Sequence, residues 1–145
     1  MRRFILASLG AVAILGLAYF IEGGKFSALL FPSPFLITFG MPFFAVLAVW
    51  SLGTWGRAWA DAMKPQADSR RRESSAELWD FYEKACYSAG ILAFILGCVV
   101  ILRNHGGVDG RLFESFAVNL ISPLYAILFA LLARILRFRV RVGGR

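Results

Sequence analysis

The run Ala85-Cys86-Tyr87-Ser88-Ala89-Gly90-Ile91-Leu92-Ala93-Phe94-Ile95-Leu96-Gly97-Cys98-Val99-Val100-Ile101-Leu102 contains no charged residue. A helix of about 20 such residues, at 1.5 Å rise each, crosses the hydrocarbon of a bilayer. Further uncharged runs stand at Phe4–Ile21, Phe26–Gly56 and Ser115–Ala133. The chain has 145 residues, 59% hydrophobic and 17% charged, with a mean hydropathy of +0.66. Soluble domains are closer to half apolar and a quarter charged, which disfavours a water-soluble enzyme. The expected fold is all-α, a polytopic membrane protein forming a single four-helix transmembrane domain over 1–145. Its spans fall near 4–21, 35–56, 85–102 and 115–133, with a polar connector at 57–84. The second run exceeds one span, and Phe31-Pro32-Ser33-Pro34 is read as a break. Its helix is therefore expected from about Phe35, after a loop at Glu22–Pro34.

Basic residues orient the spans, because Lys and Arg of short loops stay on the cytoplasmic side. With the N-terminus inside, Arg2, Arg3, Arg57, Lys64, Arg70, Arg71, Arg72, Lys84, Arg134, Arg137, Arg139, Arg141 and Arg145 lie inside. Only Lys25, Arg103 and Arg111 lie outside. Both termini are thus expected in the cytoplasm. The net charge of +7 is then explained by topology and anionic membrane lipid, with no nucleic-acid partner. The apolar run after Met1-Arg2-Arg3 is too long for a signal peptide and no clean cleavage site precedes Glu22, so it reads as a retained span. Cys86 and Cys98 are about 18 Å apart along one helix, beyond disulfide reach.

In the connector, Lys64-Pro65-Gln66 reads as a break, Arg70-Arg71-Arg72 as a basic cluster and Ser74-Ser75-Ala76-Glu77 as a capping box opening a helix that continues into the third span. Asp80 and Lys84 are spaced for an i,i+4 ion pair, with Trp79 and Tyr82 at the interfacial level. Arg70, Arg71, Arg72 and Trp79 are the candidate contacts for lipid or a partner protein. A solvated connector with an aromatic belt is the plainer reading.

Within the third span Cys86, Gly90, Ala93 and Gly97 form a stripe of small residues, which in lipid lets helix backbones approach closely. The fourth carries Ser115, Asn119, Ser122 and Ala126 on one face. Such a stripe turns toward either a bundle interior held by interhelical hydrogen bonds or a watered path. Pro123 and Pro42 each remove a backbone donor and should kink their helices. No Asp, Glu, Lys or His lies inside a span, so the chain has no residue of its own to carry an ion through lipid. There is no phosphate loop, metal-ligand cluster or Ser/His/Asp set, and the sole histidine, His105, sits in a short outer loop. No enzymatic activity, cofactor or metal is expected.

Tyr19-Phe20-Ile21-Glu22-Gly23-Gly24, Phe31-Pro32-Ser33-Pro34 and Ile37-Thr38-Phe39-Gly40 resemble the first two spans of the MotA/TolQ/ExbB proton-channel family, in particular its flagellar stator (MotA) branch. Gly90-Ile91-Leu92-Ala93-Phe94-Ile95-Leu96-Gly97 resembles the start of that family's third span. Ala117-Val118-Asn119-Leu120-Ile121-Ser122-Pro123-Leu124-Tyr125-Ala126 is similar to its fourth. The resemblance implies a pentamer in the bacterial inner membrane, around a single-span MotB-like partner that brings the ion-carrying Asp. The third and fourth helices would line the channel, with Ser115, Asn119 and Ser122 facing it beside Pro123 and Ala126. The stripe from Cys86 to Gly97 would pack helices. Ion flow, of protons or sodium, would turn the pentamer about its partner. Two features depart from the family. About 27 residues stand where stator subunits carry a large cytoplasmic domain, and a Thr usual in the fourth span falls at about Pro123. The alternative expectation is a non-conducting membrane scaffold or accessory subunit that recruits partners through the connector.

Overall fold

The computed structural model describes residues 32–64, 68–104 and 110–142, together with Gly10, Ala13, Ile14, Leu17 and Ile21, which are helical. By packing, Met1–Phe31 and Pro32–Arg145 are separate units. The expected first span and the loop at 22–31 otherwise lie outside the described residues, as does His105.

Every described element is a helix: α1 (Pro32–Phe35), a π-helical segment (Leu36–Gly40), α2 (Met41–Val49), α3 (Leu52–Met63), α4 (Ser69–Asn104), α5 (Gly110–Asn119) and α6 (Ile121–Val142). Three stretches are long and apolar enough to cross a membrane, namely Pro32–Val49, Arg70–Arg103 and Leu112–Val142. By length and composition this is a membrane protein.

The second span begins earlier than expected. Pro32, Ser33 and Pro34 form its first turn, where a proline's missing N–H costs no intrahelical bond. The next proline, Pro42, falls inside the helix and has no N–H for the carbonyl of Thr38. The winding loosens into the π segment just before it. Thr38, fully buried, donates its hydroxyl to the Pro34 carbonyl at 2.7 Å. On the same stretch Phe35 and Phe39 meet Phe129 of α6, with ring centroids 5.9 and 5.6 Å apart.

The run up to Gly56 is not one helix. Trp50 and Ser51 are extended, and Ser51 caps α3 by accepting from the Thr54 N–H at 3.3 Å. The connector is thus itself helical. Its Ala58, Asp61 and Ala62 are buried, one turn apart on one face. Small side chains there let α3 lie close along α4.

α4 has 36 residues, about 54 Å of helix, so it extends well beyond the roughly 30 Å of a bilayer's hydrocarbon. It starts earlier than the Ser74–Glu77 box predicts. Asp68 accepts from the Arg70 N–H at 3.1 Å and caps it, which leaves Ser75 buried in the helix interior. Asp68→Ala should lower stability by about 1 kcal/mol, read as a fall in melting temperature of the detergent-solubilised chain. An unchanged melting temperature would show that the cap contributes nothing.

The fourth span breaks at Leu120. Pro123 cannot donate to the Asn119 carbonyl, and α5 ends at that residue. α6 then buries Ser122, Ala126, Ala130, Ala133, Leu136 and Val140, three or four residues apart, along the most extensive helix contact among the described residues, with α4. Outward, α4 exposes Ile91, Ile95 and Val99, and α6 exposes Leu124, Ile127 and Leu131.

Candidate functional site

The two stripes that the sequence marks separately face each other. A Cβ on Gly90 would lie 2.3 Å from the Cβ of Ala126 and 3.6 Å from the Cα of Pro123. The backbones are therefore closer here than any larger residue permits. Cys86 and Ala93 are buried on the same face of α4. A Cβ on Gly97 would fall 1.8 Å from Oδ1 of Asn119. Asn119 occupies the notch this glycine leaves, donating Nδ2 to the Phe94 carbonyl at 3.0 Å and to Sγ of Cys98 at 3.3 Å.

Of the residues expected along an ion path, Asn119, Ser122 and Ala126 are buried within the single chain, and Ser115 and Pro123 are half-buried. Of the two readings of this stripe, the interhelical hydrogen bond is the one Asn119 makes. An unbonded amide in lipid is costly, so the side chain turns inward to the α4 backbone.

Beyond the apolar segment the helices are tied together by ion pairs. Asp61 of α3 is fully buried. Arg71 of α4 forks onto it, with Nε 3.0 Å from Oδ2 and Nη2 2.9 Å from Oδ1, and Ser75 donates to Oδ2 at 2.8 Å. This joins α3 to the first turns of α4. Glu83, 5% exposed, receives Arg134 of α6 on Oε1, from Nε at 2.7 Å and Nη2 at 2.6 Å. Arg137 stands 3.6 Å from its Oε2 and also pairs with Asp80. Asp80 in turn holds Lys84 at 2.6 Å, the pair expected from spacing.

The expected contact residues divide. Arg70 is exposed and Arg72 half-buried, while Arg71 is the ion-pair partner of Asp61. Trp79 is not at the surface. It is 1% exposed, packed against Trp55, Trp59 and Tyr82 at centroid distances of 5.4, 5.0 and 6.1 Å, with its indole N–H donating to the Ala58 carbonyl at 3.4 Å. The closely laid α3 covers the ring that would otherwise face the interface. Sequence reasoning passed over Asp61 and Glu83. The signal for Asp61 was its place between alanines on the apolar face of a short amphipathic helix, where a carboxylate needs a cation.

Among the described residues no group of His, Cys, Asp and Glu could hold a metal ion. Cys86 and Cys98 are free thiols. No family model, curated protein or solved structure matches the chain.

Proposed function

We propose that the chain is a MotA-like subunit of an ion-driven membrane motor of the bacterial inner membrane, with both termini and the polar connector in the cytoplasm. Five copies surround a single-span partner whose aspartate carries the proton or sodium ion. What supports this reading is the α4–α6 pair. The apolar runs of α4 and of α5–α6, 85–102 and 115–133, hold no Asp, Glu, Lys or His, which fits an ion-carrying carboxylate brought by another chain. Past the lipid the same two helices continue as an ion-paired stalk, a direct mechanical link from the membrane to water.

A second reading, a non-conducting accessory subunit, is favoured by the engagement of Asn119 with Phe94 and Cys98, which takes its amide away from any ion path. Extraction from native membranes in mild detergent, followed by native mass measurement, tests both. The motor reading expects a ring of five with a single-span protein carrying a membrane Asp, and this complex should pass protons or sodium when reconstituted in vesicles. A monomer or dimer, or a ring with no acidic partner, overturns it. The same ring with its acidic partner but no flux supports the accessory role.

A further inference from the structure

We propose that the groove between α2–α3 and α4 binds an anionic phospholipid. The groove has two halves of opposite chemistry. The half toward the charged end is a cleft of about 450 Å³ bordered by Arg57, Arg70 and Arg71 and by the hydroxyls of Thr54 and Ser74. The other is an apolar slot of about 400 Å³ between Met41, Pro42 and Ala45 on one side and Ala85 and Leu92 on the other. Ser74, Phe81 and Ser88 recur every seven residues, as do Ala85 and Leu92, so both halves lie along one face of α4. Trp50 borders the cleft and packs edge-on against Phe81 of the slot at 5.3 Å, so this ring pair stands between the two halves.

The charge count points to an anion. Asp61, the one acid of the cleft, is already engaged by Arg71 and Ser75. Arg57 bonds only to neutral oxygens, the Gly53 carbonyl at 3.3 Å and the Thr54 hydroxyl at 3.1 Å, and among the described residues neither it nor Arg70 forms an ion pair. Guanidinium groups with hydroxyls beside them match the oxygens of a phosphate. From Ser75 at the edge of the cleft to Phe81 at the edge of the slot is about 9 Å along the helix, within the length of one lipid molecule. A free phosphate would leave the apolar slot unexplained. A phosphate carrying an acyl chain accounts for both halves. This inference is independent of whether the assembly moves ions.

Phosphatidylglycerol is titrated into the delipidated, detergent-solubilised chain, read by tryptophan fluorescence and by lipid adducts in native mass spectra. Phosphatidylcholine and inorganic phosphate serve as comparison probes. Saturable phosphatidylglycerol binding is expected, weakened about tenfold or more in the Arg57→Gln/Arg70→Gln double variant. Both arginines are exposed, so the double variant should melt like the parent. Ala45→Trp, which fills the slot, should remove the lipid adduct, and Arg103→Gln at the far end of α4 should change nothing. Equal retention of phosphatidylcholine, saturation by inorganic phosphate at the same affinity, or binding indifferent to Arg57 and Arg70 would overturn the proposal.

Discussion

Replacing Gly90 with valine is expected to cost more than about 3 kcal/mol, above the usual range for overpacking, and to separate α4 from α6. A single added Cβ already falls 2.3 Å from the Cβ of Ala126, with the Cα of Pro123 behind it. Neither neighbour is the tip of a long side chain that could swing aside, so the helices themselves must move. Further along α4, Asn119 fills the notch at Gly97. Melting temperatures of the solubilised protein should fall in the order parent, Gly90→Ala, Gly90→Val. Ala126→Gly, introduced into the Gly90→Ala background, should recover part of the loss by vacating the contested space. A Gly90→Val protein as stable as the parent would mean that the two helices do not meet there.

Removing Arg71 should be the second large perturbation, and more damaging than neutralising its partner. Asp61 has no exposure, whereas Arg71 is 41% exposed along its side chain. In Arg71→Ala the carboxylate stays buried with the Ser75 hydroxyl as its remaining donor. Stranding one member of a buried pair costs about 3–5 kcal/mol, and the partial exposure of this arginine puts the expected loss at the lower end, near 3 kcal/mol. In Asp61→Asn the side chain is neutral, and the freed guanidinium can turn to water, so the loss should be about 1 kcal/mol. The double variant should be more stable than Arg71→Ala alone, because the stranded charge is gone. Thermal melts, together with protease cleavage of the segment between α3 and α4, would measure this. Equal losses in the two single variants would contradict the asymmetry.

Much of the architecture was legible along the chain because it depends on sums over neighbouring residues. Runs 85–102 and 115–133 are apolar enough to be helices in lipid whatever surrounds them. The spacing of Cys86, Gly90, Ala93 and Gly97 marks a packing face before its partner is known, and Pro123 announces the break at Leu120. The proline reading at Phe31–Pro34 erred because the same residue that ends a helix interior is well suited to a first turn, and only the position of the helix start decides which applies. The capping box at Ser74 erred similarly. Asp68 supplies a cap earlier, and Ser75 finds Asp61 instead.

By itself, then, the sequence determined that this is an all-helical membrane protein, which of its described runs are apolar helices, though not where each begins or breaks, and which of their faces carry small or polar residues. Only the tertiary structure decided that the stripe at Gly90 meets the stripe at Ala126, that α3 folds back over Trp79, and that Asp61 belongs to Arg71 and Glu83 to Arg134. Hydropathy and helix propensity add up locally, residue by residue. The partner of a buried charge or of a glycine notch depends on which residues the fold brings within a few ångströms, and Glu83 and Arg134 stand 51 positions apart in the chain.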